Sequence, residues 1–349
     1  GLPAITILAQ EIEPPPPPKP KPKKKAPKKV VKEWSIEESI FAPRNKECDA
    51  RAYYDTDSCI KRALSRDWAR LLGEDRFWRF VAQSDDEAAA GKVESEKELD
   101  EIRCEILKHY RQILAVFAYY SGVFTSNRGY GAHTMKENGY TRFLQDTRFV
   151  EDEDDGDEEG SQIFVLVNVH IEKSGKNDIH ALSRHELLEV IVRLAVWKFK
   201  STGMRDVSDM MKKLLEECFA PQCAPGQALH GAAYDTNEFR RTRLYCEEVD
   251  LVLRRHEKML KNAYNYYSTL GNNLGMDLDS FLMMMDHTKC IGSEIWDLSE
   301  RECRIAYFCS QNVVVDEQKS HKKTRDDDVH RTHGSDGVDR RPDANPHRG

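Results

Sequence analysis

No apolar run in this chain approaches the roughly 18 residues that a helix needs to cross a bilayer, so nothing in it reads as a membrane span. The start shows no signal-peptide pattern, because Leu2 to Ala9 is a short apolar run with no basic residue ahead of it. An initiator Met is absent as well, which points to a processed chain or a fragment. GxxxxGK[ST], strand-borne GxGxxG and GxSxG are missing, which removes the motif-borne routes to phosphate binding and serine hydrolysis. His185 and Glu189 share a helix face, but the second His of a zinc protease is lacking, and both read as ordinary helix residues. The chain reads as no enzyme.

Apolar residues are scarce too: the hydrophobic set makes up 39% of 349 residues, against 32% charged. That is low for a compact chain of this length. The apolar residues concentrate between Trp34 and Val315, which places the core there and leaves a tail at each end. Nine cysteines are scattered, an odd number. Cys104, Cys303 and Cys309 fall in apolar, helix-like runs, where a thiol serves as a small hydrophobe. Cys218 and Cys223 near His230 are the one candidate metal cluster, without a second Cys/His pair at ligand spacing. Structural thiols are the reading, with no cofactor, in a reducing cytoplasmic compartment.

What the chain does have is best specified from Leu182 to Gly203. Ser183 followed by Glu186 forms a capping box. Leu187, Val190, Ile191 and Leu194 then recur at helical spacing, with Leu188, Val192, Ala195 and Phe199 on a second face, so this helix is mostly buried. Gly203 suits a left-handed stop.

Upstream, residues 1–33 form a Pro/Lys-rich arm. The proline run Pro14–Pro18 precedes Lys19, Lys21, Lys23, Lys24, Lys25, Lys28 and Lys29, which keeps the segment extended and coreless. It reads as a solvated spacer or as an electrostatic tether to an acidic polymer, either nucleic acid or the acidic tails of tubulin. No aromatic residues interleave, so base stacking is not indicated.

Residues 34–98 read as a helical N-terminal segment, with Ile60, Leu64, Trp68 and Leu71 at helical spacing; the acidic, Ala-rich stretch from Ser84 to Glu98 reads as an exposed helix or linker leading into the next element. A long helix is expected from Leu99 to Tyr120. The acids of Glu151–Glu159 predict a disordered loop, and Ile163–Ile171 fits strand or helix equally. Residues 220–237 form a Pro/Gly-rich linker, and Glu238–Leu270 reads as a second long helix. His321–Gly349 is poor in apolar residues, and a disordered tail is assigned to 316–349.

The two long helices resemble each other. His109–Ser121 aligns with His256–Ser268, both ending Tyr-Tyr-Ser, and Phe143-Leu144 then falls on Phe281-Leu282. Each copy reads as helix–loop–helix twice over, in residues 99–219 and, incompletely, 238–315. Such a paired unit resembles the EF-hand superfamily, and Leu182 to Leu188 is the closest local match. The resemblance implies an all-α fold of tandem EF-hand-like pairs between disordered tails. It also implies a position for calcium oxygens, which these loops fill poorly. Counting back from Glu186 puts Gly175, Asn177 and Ile179 at ligand positions and His180 at the Gly position. The loop ahead of Phe281 offers Thr269, Gly271, Asn273 and Ser280.

The expectation is therefore a non-catalytic helical interaction or scaffold protein. Met283, Met284 and Met285 would serve as an adaptable partner groove, and Lys19 to Lys29 as the basic arm. By analogy such a form belongs to a cytoskeletal or ciliary (axonemal) assembly, with protein partners that include tubulin or microtubules. A calcium-responsive EF-hand regulator and a nucleic-acid binder through the arm are the alternatives.

Overall fold

A computed structural model of the chain describes residues 33–82, 90–124, 134–150, 155–168, 180–270 and 275–318. Residues Gly1–Trp34 and Ser35–Gly349 are two separate compact units. Lys19 to Lys29 lie outside the described residues, as do His321–Gly349.

The second unit is mostly helical. After single turns at Ile36–Glu38 and Arg44–Glu47, α1 (Asp57–Leu72) opens on Thr56, whose hydroxyl accepts the Cys59 N–H at 3.2 Å. It buries Ile60, Leu64, Trp68 and Leu71. α2 (Asp75–Val81) sets Phe77 edge-on against Trp68, with centroids 5.9 Å apart. α3 runs from Ala90 to Val123 and buries Ile102, Ile106, Tyr110, Ile113, Phe117 and Tyr120. It therefore starts at Ala90 rather than Leu99. The added stretch is rich in Glu and Lys, good helix formers that carry no apolar period.

β1 (Met135–Lys136) leads into α4 (Glu137–Thr147), which ends with Arg148 at φ 54°. α5 (Asp155–Asn168) follows, then β2 (Ala181–Leu182) and α6 (Arg184–Phe199). The acidic run at 151–159, expected to be a loop, enters α5 at Asp155. Carboxylates in a first helical turn meet its free N–H groups and the positive dipole end, which offsets their mutual repulsion. The ambiguous Ile163 stretch is helical as far as Asn168.

α6 is the buried centre. Its N-terminus carries the capping box, with the Ser183 N–H donating to Glu186 Oε2 at 2.6 Å, and Gly203 beyond it has φ 83°. Its charged residues are buried in pairs: Glu189 accepts from Arg193 at 2.8 Å and from Arg76 at 3.3 Å. The Arg193 guanidinium also stacks 4.3 Å from the Phe80 ring centroid.

α7 (Val207–Lys213) widens into a π-helical turn at Leu214–Phe219 and continues to Gln222. The second long helix, expected from Glu238 to Leu270, is broken. A turn at Thr236–Phe239 passes into a π turn at Arg240–Leu244, and α8 proper spans Glu247–Leu270. Ahead of the break, Arg240 is 2% exposed and paired with Asp55 at 2.8 Å. α9 (Leu278–His287) and α10 (Glu300–Ser310) complete the set, and α10 carries its own capping box from Ser299 and Glu302. α10 lies tight against α3: a Cβ at Gly122 would sit 2.0 Å from the Phe308 ring. Beyond it, residues 311–317 carry neither helix nor strand.

All nine cysteines are free. Cys303 is buried as expected and Cys309 partly so, but Cys104 is exposed, on the outer side of the long helix α3. No helix among the described residues is long and apolar enough to cross a membrane.

Candidate interaction site

Two helix–loop–helix units, α3–α4 and α5–α6, meet through their loops. β1 and β2 pair antiparallel, Met135 with Leu182 and Lys136 with Ala181. The pairing sets a register between the loops. Glu186 lies four residues past Leu182, and the residue four past Met135 is Gly139. There is no room for a side chain at Gly139, since a Cβ would lie 2.7 Å from the Tyr120 carbonyl oxygen. Glu186, 1% exposed, has its Oε2 committed to the Ser183 N–H at 2.6 Å and hydroxyl at 2.7 Å. Gly175, Asn177 and Ile179 lie outside the described residues, as do Gly271 and Asn273. Among the described residues no group of three or more His, Cys, Asp or Glu is placed to hold a metal, and this includes Cys218, Cys223 and the exposed His230. The second copy is built differently. The bridge formed near α9 joins Ile291 to Leu298 within a single loop, and no ladder links two loops there among the described residues.

The apolar surface lies on that second copy. α8 is 24 residues long, yet only Asp250, Tyr267 and Ser268 are buried. Val252, Met259, Tyr266 and Leu270 recur on one side and are 52%, 61%, 57% and 51% exposed. The adjoining side, with Leu253, Leu260 and Tyr264, forms one wall of a groove of about 440 Å³ whose other walls include Phe41, Phe281 and Met284. The expected methionines divide: Met284 lines the groove, Met283 points outward at 42% exposure and Met285 is half-buried. Nearby, the loop after α9 leaves Ile295 and Trp296 84% and 63% exposed.

Tyr245 sits at the end of the groove among Phe41, Tyr54 and Tyr53, with centroids at 4.8, 5.6 and 6.4 Å. It is 7% exposed and its hydroxyl has no hydrogen-bond partner. Burial pushes its pKa up, so the group stays a neutral donor. Arg44 lies 6.0 Å from the same ring, and burial, aided by Arg240, pulls its pKa down. A groove with apolar walls beside an exposed apolar stripe suits the apolar face of a helix.

Behind the groove lies a buried polar network that sequence reasoning missed. Asp67, 1% exposed, accepts the Tyr110 hydroxyl and the Arg184 guanidinium (Nε at 2.5 Å, Nη2 at 3.0 Å). Arg184 is also 3.0 Å from Glu317, so one cation serves two carboxylates. Loss of solvent pushes the Glu317 carboxyl up to about 7; Arg184 opposes this and Asp67 adds to it, although a quarter of the side chain (24%) still reaches water. Asp55 pairs with Arg240 and exchanges bonds with Asn237 in both directions, at 3.0 and 3.1 Å. None of these residues shares a motif or a spacing. The only trace in the sequence is a charged residue at a place where the helical period demands an apolar one, as at Asp67 and Arg184.

No family model, curated protein or solved structure matches this chain.

Proposed function

We propose that this protein is a non-catalytic helical interaction component that seats a partner's amphipathic helix along α8. The observation that carries the reading is the pairing of an exposed stripe (Val252, Met259, Tyr266, Leu270) with the adjoining apolar groove. Monomeric surfaces rarely leave so continuous an apolar strip in water, whereas helix-in-groove recognition requires one. The flexible thioether of Met284 lets the groove fit its occupant.

The architecture behind this surface we take as EF-hand-like in its first half. The support is two helix–loop–helix units joined at their loops by a two-residue antiparallel ladder. The ladder's register also argues against the calcium-regulator alternative, because Gly139 brings no oxygen to one loop and Glu186 is already engaged in the other. Membership of a cytoskeletal or ciliary assembly rests on charge complementarity alone: Lys19 to Lys29 would meet the acidic tails of tubulin. Nucleic acid offers the same charge and is the lesser reading.

Affinity capture with the wild-type chain and a Val252→Glu/Met259→Glu chain, side by side, tests the α8 seat. Both positions are solvent-exposed, so helicity is expected to stay intact while the partner's recovery collapses. Equal recovery by a folded double variant would remove α8 from the interaction. Deleting residues 14–32 then separates the arm's contribution: binding to tubulin is expected to weaken, and to weaken more than binding to duplex DNA at matched salt.

A further inference from the structure

Residues 311–317 are bound to the rest of the fold as a separate peptide would be. Their backbone N–H groups are met by carboxylates and their carbonyls by cations. Val313 N–H donates to Asp55 Oδ1 at 3.2 Å and Val315 N–H to Asp49 Oδ2 at 2.9 Å. In return Arg184 donates to the Val314 carbonyl at 3.0 Å and the Val315 carbonyl at 3.3 Å, and Arg240 to the Gln311 carbonyl at 2.8 Å. Two side-chain positions are read by charge as well: Asp316 pairs with Arg70, and Glu317 with Arg184. Among the described residues this segment joins no sheet, so side chains rather than a sheet edge recognise its backbone.

The strap also has a position of consequence. Gln311 to Val314 line the apolar groove on one side and a second cavity of about 730 Å³ on the other. In that cavity the buried Ser121 hydroxyl has no hydrogen-bond partner. Lifting the strap would join the two spaces.

We propose that the cleft formed by Asp49, Asp55, Arg70, Arg184 and Arg240 is a recognition site for an extended peptide of valines followed by paired acids. The chain's own Val313–Glu317 fills it in cis, and a partner's segment of the same chemistry takes it in trans by displacing the strap. This does not depend on the exposed stripe of α8, because that helix contributes no side chain to the cleft; besides the strap, the groove and the cleft have only Asp49 in common. A ligand present in cis lowers the apparent affinity of one in trans by the fraction of strap that is open, so loosening the strap must raise it.

The test titrates a labelled peptide with the sequence of Gln311–Gln318 against the wild-type chain and an Asp316→Lys/Glu317→Lys chain, in which Arg70 and Arg184 repel the strap. Binding at least about tenfold tighter to the variant is expected. Adding Arg70→Glu should weaken it, and a peptide carrying Lys at the Asp316 position should restore it. No binding to a folded variant, or binding indifferent to that charge exchange, overturns the proposal. If the variant does not fold, hydrogen exchange on the wild-type chain decides. Excess free peptide is expected to speed exchange at the strap's Val313 and Val315 amides, and unchanged rates at millimolar peptide overturn the proposal. A wild-type dimer that free peptide dissociates would assign the cleft to a second copy, against a partner.

Discussion

Replacing Asp67 by Asn removes one charge from the interior and changes almost no volume, which isolates the worth of the charge. Asp67 and Arg184 are 1% and 3% exposed. In the variant Arg184 keeps only Glu317, a quarter of which is in water, as a charged partner. Breaking a buried pair by neutralising one member costs about 3–5 kcal/mol, because the remaining charge is left poorly compensated. The Asn oxygen still accepts from Tyr110 and from one guanidinium nitrogen, so the low end, about 3 kcal/mol, is expected. Against a typical stability of about 5–15 kcal/mol that is a large fraction. The control is Asp57→Asn, ten residues away and also facing an arginine, Arg111 at 2.8 Å, but 88% exposed. Exposed pairs contribute about 0–1 kcal/mol. Urea unfolding followed by circular dichroism reads both variants. If Asp67→Asn loses no more than Asp57→Asn, burial is not what gives the network its weight.

Gly122→Ala should loosen α10 from α3 by about 1–3 kcal/mol through overpacking against Phe308, and Phe308→Leu should recover part of that loss. Non-additive urea midpoints would show the coupling; additive ones would refute the contact. The pH dependence follows from Glu317, whose folded pKa is raised from 4.5 to about 7 where Asp67, Arg184 and Arg70 face it. A raised folded value means its contribution is fully present below about 4.5 and is lost as pH rises through about 7. Glu317→Gln should therefore gain stability over the wild type across that window, and parallel curves would contradict it. Calcium up to millimolar concentration is expected to leave the melting temperature and the Trp fluorescence unchanged, since Gly139 and the engaged Glu186 leave too few free oxygens. A saturable shift in either would restore the calcium-regulator reading.

Local signals gave out where a residue's environment is made by distant chain. α6 was legible in full, from its capping box to its left-handed Gly203, because both ends depend on neighbours within a turn and its apolar faces repeat at 3.6 residues. The amphipathic character of α8 was equally plain, as was the Tyr-Tyr-Ser likeness between the long helices. Ahead of Leu99 the sequence left helix and linker open, because Glu and Lys there carry no apolar period, and the entry into α5 was hidden because like charges suggest a loop until the helix dipole is counted. Tertiary packing decided everything that makes the sites. It set Arg240 against Asp55, and it paired β1 with β2 across a span no local rule covers. It also brought Asp67, Arg184 and Glu317 together from three distant places in the chain. An isolated charge in a sequence reads as solvated. Only the fold removes the water and makes its partner obligatory.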